Sequence, residues 1–327
     1  MKELYNKDNI EAFILTYNRK DMLKDSIISI LNQTIGDVSI TIMDNGSTDG
    51  TNDMVAEMMQ THPNIHYYRH EENVIQIENF KKAVELAKAD YVIMFHDDDI
   101  LHPDYFKFAI GAVNKYSNIS IISSCYKECS NPTNDNWNKV SSSFDYCADK
   151  KDFVNYLYRM QRYGYSDTIY KTQNLKKFDF DMEYYSKFGK MGDKPFVVNT
   201  MNNDDGAVIL RDKKILRYRV HPGQDTSSSG PYYSEIIAYS KYCKDFMQGS
   251  FYSKFMFNII NYKQLKCAYI WGKDYTLSFE DFVQKALNEG AGCKWTELSL
   301  YKYYGKFFIE LAHILRKIFK SKYKIVL

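Results

Sequence analysis

The sequence predicts an α/β fold: a Rossmann-like, mainly parallel sheet with helices on both faces, followed by a helical C-terminal region. Three observations predict it. Short apolar runs alternate with helix-like segments through the first third of the chain, the pattern of strand–helix units. Three of those runs end in polar clusters, "TYNR", "DNGSTD" and "HDDD", and sheets of this kind bind ligands beyond the carboxyl ends of their strands. The 327 residues are 45% hydrophobic and 26% charged, a globular composition with room for one large or two ordinary domains.

The elements follow in order. "EAFILTYN" (11–18) reads as a buried strand, and "KDMLKDSIISILNQ" follows with Met22, Leu23, Ile27, Ile30 and Leu31 near helical spacing. "SITIMDN" (39–45) is a second strand. "STDGTNDMVAEMMQTH" opens a helix with Ser47, Thr48 and Asp49 as capping candidates. "NIHYYRH" is a third strand, "ENFKKAVELAKA" a helix and "DYVIMFHD" a fourth strand. Pro103 sits in the first turn of the helix "PDYFKFAIGAVNKY", and "ISIISSCYKE" is a fifth strand. "CSNPTNDNWNKVSSS" (129–143) is polar and turn-rich, a surface loop, and "AVILRD" with "ILRYRVHP" reads as a hairpin turning at "DKK". The small, polar stretch "GQDTSSSGP" (223–231) marks a boundary. It separates a domain over 1–228 from a helical region over 229–327. No internal repeat is present.

Bulk properties exclude several classes. A net charge of +2 gives no reason to expect a nucleic-acid partner. Cys125, Cys129, Cys147, Cys243, Cys267 and Cys293 show no zinc spacing and read as free thiols in a reducing compartment. The start "MKELYNKDNIEAF" has no apolar signal core, and no run reaches the roughly 18 apolar residues of a membrane span. The expected location is the cytoplasm.

The chemistry gathers at the strand ends. In "VIMFHDDDILHP", four apolar residues lead into His96 and three adjacent carboxylates, Asp97, Asp98 and Asp99. Three like charges at a buried strand end repel each other and resist desolvation. Asp99 can cap the following helix, but capping explains one carboxylate and not three. Hard oxygen ligands suit Mg²⁺ or Mn²⁺ bridging carboxylates and substrate phosphates. In "LTYNRK", Tyr17 can stack on a base or simply pack, and Arg19 can face a phosphate. "MDNGSTDGT" makes an ordinary turn and cap, or presents Asp44 to a base or ribose donor group.

Taken together, "FILTYNRKDMLKDSIISILNQT", "ITIMDNGSTDGT" and "NVIQIENFKKAVELAKADYVIMFHDDDILHPDYF" resemble the family 2 glycosyltransferases. The resemblance covers roughly residues 10–110 and continues more faintly through "GDKPF" and "YRVHPGQDTS". It implies a GT-A fold, a nucleotide-sugar donor (UDP by family frequency), a divalent metal and inverting transfer to a glycan or lipid-linked acceptor in surface polysaccharide synthesis. Residue by residue, it implies that Thr16, Tyr17, Asn18 and Arg19 border the nucleotide. Asp44, with Asn45 and Gly46 in its turn, matches the aspartate that accepts from the base, and Asn79 matches an Asn ahead of the fourth strand. Where the family often has glycines around that Asn, this chain has "VIQIENFKK", and Lys82 adds charge there. The usual "DSDD" aligns with His96, Asp97, Asp98 and Asp99, so that His96 replaces the first Asp. Asp98 aligns with the metal ligand, and Asp97 reaches ribose or a second metal contact. An inverting transfer needs a carboxylate to take the acceptor proton. Asp193 in "KMGDKPFVVNTM" fits the family's placement, with Asp204 and Asp205 as competitors. His221 in "RVHPGQD" matches a histidine near metal and diphosphate, and Arg219, two residues away, shares its face on a strand. Ser166 and Asp167 in "YGYSDTIYK" (163–171) are expected to be exposed in an acceptor-side loop and strand.

The tail "YKYYGKFFIELAHILRKIFKSKYKIVL" (301–327) carries Lys302, Lys306, Arg316, Lys317, Lys320, Lys322 and Lys324 against one acid, Glu310, with Phe307, Phe308, Leu311, Ile314, Leu315, Ile318 and Phe319 near helical spacing. A basic amphipathic helix reads either as peripheral membrane contact or as a helix packed on the core with a solvated face. Three other functions compete. A sugar-phosphate nucleotidyltransferase wants a glycine-rich phosphate loop, and a nicotinamide dehydrogenase wants GxGxxG after the first strand; "LTYNRK" supplies neither. A non-catalytic nucleotide-sugar-binding module of the same fold is favoured by His96 standing in for an acid.

Overall fold

A computed structural model describes residues 4–130, 137, 140, 143–159, 163–212, 215–224, 233–246, 265, 266, 269, 270 and 277–289. The chain divides into two compact units. The first joins residues 1–148, 162–178 and 200–221, and the second joins 149–161, 179–199 and 222–327.

The first unit is built on β1 (Ile10–Thr16), α1 (Lys20–Leu31), β2 (Ser39–Asp44), α2 (Thr51–Thr61), β3 (Ile65–Arg69), α3 (Gln76–Leu86) and β4 (Tyr91–His96). The short β5 (Ile100–Leu101), α4 (Tyr105–Lys115), β6 (Ile119–Ser124), β7 (Tyr126–Cys129) and β8 (Phe144–Cys147) follow. Eight strands form one sheet with the order β3-β2-β1-β4-β9-β6-β10-β8, where β9 is Ile169–Lys171 and β10 is Gly206–Leu210. The block β3-β2-β1-β4 is parallel throughout. β9 runs antiparallel between β4 and β6, so these two keep a common direction although they do not touch.

Strand composition explains burial. β4 "YVIMF" and β6 "ISIISS" are buried along their lengths, as central strands covered on both faces must be. Each fully buried Ile, Val or Phe stabilises the sheet by about 1.5–3 kcal/mol. α1 turns Leu23, Ile27 and Ile30 onto the sheet, as its spacing predicts. The same buried face also carries Ser26 and Ser29.

Two expectations are corrected. The stretch 206–219 is not a hairpin. β10 pairs with β6 and β8 in the large sheet, whereas β11 (Leu216–Arg219) pairs with β5 and β7 in a separate three-stranded sheet. Likewise "ISIISSCYKE" is not one strand, because the chain leaves the large sheet at Cys125 and enters the small one at Tyr126. The small sheet brings β11, and with it Arg219 and His221, back to the segment just after β4.

The second unit is helical: α5 (Lys150–Arg159), α7 (Met182–Ser186), α8 (Asp193–Asn199), α9 (Tyr233–Phe246) and α10 (Phe279–Asn288), while α6 (Thr172–Lys176) belongs to the first. Aromatic rings pack its interior, with Tyr158 against Tyr239 and Phe188 against Tyr242. Among the described residues no helix is long and apolar enough to cross a membrane. Cys125, Cys129, Cys147 and Cys243 are free thiols. The basic tail 301–327 and most of the boundary stretch 223–231 lie outside the described residues.

Candidate active site

Register alone brings the polar clusters together. Thr16 pairs with Asp44 across β1 and β2, and Leu15 pairs with His96 across β1 and β4. The three strand ends therefore share one sheet edge.

The aspartate run is buried at Asp97, Asp98 and Asp99, while His96 is exposed. The three aspartates have different partners. Asp97 accepts from Thr16 Oγ1 at 2.7 Å and from Arg19 Nη1 at 3.0 Å. Asp98 accepts from the same Arg19 nitrogen at 3.3 Å and lies 3.1 Å from His221 Nε2, both through Oδ2. Its other oxygen, Oδ1, is buried with no hydrogen-bond partner. Asp99 accepts from the Arg219 backbone N–H at 2.9 Å and from Ser166 Oγ. It does not cap the next helix: Asp104 holds the N-cap position of α4. Burial pushes the Asp99 carboxyl up to about 7, with the Asp98 charge adding to the shift and His96 opposing it. Burial also raises Asp97, against the pull of Arg19.

An orphaned buried carboxylate oxygen costs about 1–3 kcal/mol unless something satisfies it. One ligand atom from each of His96, Asp98 and Asp99 lies within 4.8 Å of the others. That donor set, two carboxylates and an imidazole around an unsatisfied oxygen, fits a divalent cation such as Mn²⁺ or Mg²⁺. Asp97 falls outside this grouping, its oxygens turned to Thr16 and Arg19.

The backbone of the run is held from two sides. Ser26 Oγ, from α1, donates to the Asp99 carbonyl at 2.8 Å, and Gln33 Nε2, just past its end, to the His102 carbonyl at 2.8 Å. From β11, Arg219 Nε donates to the Asp98 carbonyl at 2.8 Å while Nη2 reaches Asp25 at 2.8 Å. Arg219 therefore clamps the turn and does not share the role of His221, which alone of the two reaches the Asp98 carboxylate.

The Asp44 side is also built in depth. Asp44 is fully buried and accepts from the Ser47 N–H at 2.9 Å and from Tyr67 OH at 2.5 Å, with Arg69 Nε at 3.5 Å. Asn79 donates to the Met43 carbonyl at 3.0 Å, and its Oδ1 is buried without a partner. Asn45 is consumed structurally: its side chain makes paired hydrogen bonds with Val74, at 2.7 and 2.9 Å. Asn18, at φ 52°, receives the Thr48 N–H, and its own N–H goes to Ser47, joining the first two strand ends. Gly46, at φ +80°, presses against the Glu72–Asn73 backbone. Tyr17 is 42% exposed, an open ring face beside these groups in sequence. Lys82 points along α3 to Glu85 at 2.9 Å.

Ser166 and Asp167 are buried, not exposed. Asp167 accepts from Ser123 Oγ at 3.0 Å and Ser124 Oγ at 2.5 Å, and its carbonyl accepts from Tyr105 OH at 2.5 Å. Of the candidate bases, Asp193 is exposed at the start of α8 in the second unit. Asp205 is buried and bonded to Asn174 and to the Asn202 N–H. Ser26, Asp25, Tyr67 and Arg69 are residues that sequence reasoning missed. Ser26, Ser29 and Gln33 left a trace, a polar row at one-face spacing within an apolar helix face.

Comparison with known proteins gives the family and the fold. Residues 12–187 match the model of glycosyl transferase family 2. The chain is similar to the abequosyltransferase RfbV of Salmonella typhimurium, at 27% identity over 259 residues, 75% of this chain and 76% of that protein. Among solved structures it resembles S. aureus TarS in complex with UDP-GlcNAc, with a TM-score of 0.57, 15% identity, and 87% and 81% of the two chains covered. It also resembles the mannosyltransferase PcManGT of Pyrobaculum calidifontis in complex with GDP-Man and Mn²⁺, with a TM-score of 0.50, 12% identity, and 93% and 81% covered. These likenesses give the fold, and the family match spans more than half of the chain. The shared edge of polar strand ends is thus that of a glycosyltransferase with a GT-A fold, and the chain belongs to glycosyl transferase family 2.

Proposed function

We propose that this enzyme moves a sugar from a nucleoside-diphosphate donor, UDP in the first instance, to a hydroxyl of a glycan or lipid-linked saccharide. The transfer proceeds with inversion and with Mn²⁺ or Mg²⁺ as cofactor, in surface polysaccharide synthesis on the cytoplasmic side of the membrane. The observation that carries the reading is Asp98 Oδ1, buried and without a partner beside His96 and Asp99. A donor complex of TarS with UDP-GlcNAc and one of PcManGT with GDP-Man and Mn²⁺ support it by analogy of fold.

In this reading Asp98, Asp99 and His96 hold the cation, with His221 against Asp98. The bound ion supplies neutralisation of the charge that develops on the departing nucleoside diphosphate. Asp97 fixes Arg19 and Thr16 at the ribose and phosphate side, Asp44 and Asn79 offer acceptors to the base, and Tyr17 stacks on it. Asp193 takes the proton of the acceptor hydroxyl. Asn45, Gly46, Asn18 and Lys82 shape or border the donor site without touching the reacting atoms. The basic tail carries the enzyme to its lipid-linked acceptor.

Donor hydrolysis with and without Mn²⁺ tests the reading. Wild type should release nucleoside diphosphate only with the metal, and Asp98→Asn should lower that release by about 100-fold or more. Asp193→Asn should abolish transfer with donor binding kept. Metal-independent release, or an Asp98→Asn enzyme of wild-type rate, refutes the metal assignment; an Asp193→Asn enzyme that keeps its turnover refutes the base.

A further inference from the structure

The buried turn before β9 has no place in the reading above, yet it is bonded on several sides. Gly164 donates its N–H to the Ser124 carbonyl at 2.7 Å, and its carbonyl accepts from Ser123 Oγ and from Thr168 Oγ1. A Cβ on Gly164 would lie 2.4 Å from Asp167 Oδ1, so the carboxyl group nests directly on that glycine. Tyr105, from α4, holds the Asp167 carbonyl, and Ser123 and Ser124, from the end of β6, hold its carboxyl. The residue between these anchors and the site is Ser166, whose hydroxyl donates to Asp99 Oδ2.

The Ser123 hydroxyl ties this anchor together. Ser123 Oγ carries one proton but lies within bonding distance of two acceptors, the Gly164 carbonyl and Asp167 Oδ1. Ser123 Oγ therefore ties the Asp167 carboxyl to the Gly164 carbonyl, and Ser124 Oγ donates to the other carboxyl oxygen at 2.5 Å. Among the described residues no cation is paired with Asp167, which lies among the hydroxyls of Tyr105, Tyr163, Ser123 and Ser124. Burial pushes its carboxyl up to about 6.

We propose that Asp167 is a positioning residue for the cation site: its carboxyl anchors the 163–168 turn through Ser123 and Ser124, so that Ser166 fixes the Asp99 carboxylate in its ligating orientation. The inference rests on Asp99 being a metal ligand. Groups that orient a ligand from behind typically change metal affinity by about 10- to 100-fold when removed.

The test is Mn²⁺ binding by the full chain, titrated by electron paramagnetic resonance with no donor present. Ser166→Ala and Asp167→Ala should weaken binding by about 10- to 100-fold. Asp167→Asn should stay within about 2-fold of wild type, because its amide keeps both anchors, with Nδ2 donating to Ser123 Oγ and Oδ1 accepting from Ser124 Oγ. If Asp167→Ala gives no cooperative melt, Ser124→Ala takes its place, with a loss in the same direction. Wild-type affinity in Ser166→Ala overturns the proposal, and so does an Asp167→Asn protein as weak as the alanine variant. Asp98→Asn separates the two readings: if wild type and Asp98→Asn bind Mn²⁺ alike, the cation site itself is misplaced.

Discussion

Gly46→Ala should destabilise the protein by about 2–5 kcal/mol, and the structure separates this into two parts. The first is conformational. Gly46 sits at φ +80°, and an L-residue there costs about 1–2 kcal/mol. The second is contact. The new methyl carbon would stand 2.9 Å from the Glu72 carbonyl carbon, 3.1 Å from Asn73 N and 3.2 Å from Glu72 O. These are backbone atoms of a loop tied down by the Asn45–Val74 hydrogen bonds, so they cannot swing aside as a side-chain end would. Overpacking of that kind costs about 1–3 kcal/mol. Gly50→Ala is the control. Its φ is +86°, yet its Cβ would meet only the flexible end of Lys20, at 3.6 and 3.8 Å. It should therefore lose only the first part. Urea unfolding of both variants measures the difference. If the two lose the same stability within about 0.5 kcal/mol, the contact part is wrong and the turn after β2 is looser than its bonds imply.

Gly111→Ala should act in the opposite direction. Gly111 lies inside α4, exposed and with nothing within 4 Å of an added Cβ, so the substitution should raise stability by about 0.5–1 kcal/mol in the same urea assay. Asp167 gives the protein a pH dependence. Its folded carboxyl is raised to about 6 from 3.8, so the protonated form is the one the fold favours. Stability from this group is full below about pH 4, falls as pH rises, and levels off above about pH 6, a loss of about 3 kcal/mol. Asp167→Asn should flatten the melting temperature across that window; an unchanged slope would assign the pH dependence elsewhere.

The parallel half of the fold was legible because each strand end there carries its own signal. "TYNR", "DNGSTD" and "HDDD" follow apolar runs in regular alternation, and Thr16, Asp44 and His96 share one edge as that pattern requires. Legibility fails where a segment's role is set by a distant partner. β9 is only Ile169–Lys171, and what makes it a central strand is the gap between β4 and β6. "SSCYKE" carries no sign that the chain changes sheets at Cys125. Ser166 and Asp167 look like loop residues because two adjacent polar groups usually face water. They are buried because Ser123, Ser124 and Tyr105 supply partners over forty residues away in sequence. Arg219 was placed beside His221 by strand alternation, yet its backbone N–H, Nε and Nη2 are drawn to Asp99, Asp98 and Asp25.

His96, the residue that departs from the family's usual acid, can be understood from the charges around it. Asp97, Asp98 and Asp99 are buried side by side; Arg19 and His221 are bonded to carboxylates of this run, and the Arg219 side chain to the Asp98 carbonyl. His96 opposes the rise of the Asp99 carboxyl, whereas a fourth carboxylate would add to it. His96→Asp therefore has two opposite effects. Without metal the extra negative charge repels Asp98 and Asp99, at up to about 1–4 kcal/mol for a pair near 4 Å apart at a surface. With Mn²⁺ present the same charge is attracted to the ion. The variant should melt lower than wild type in chelator and gain more than wild type on adding Mn²⁺, because the native state alone binds the ion. His96 being exposed keeps both changes at the modest end of that range. A variant that melts like wild type in chelator would mean that the imidazole has no electrostatic part in the run. A variant that loses the Mn²⁺ response altogether would mean that the imidazole nitrogen itself is a required ligand, which an aspartate one bond pattern shorter cannot replace.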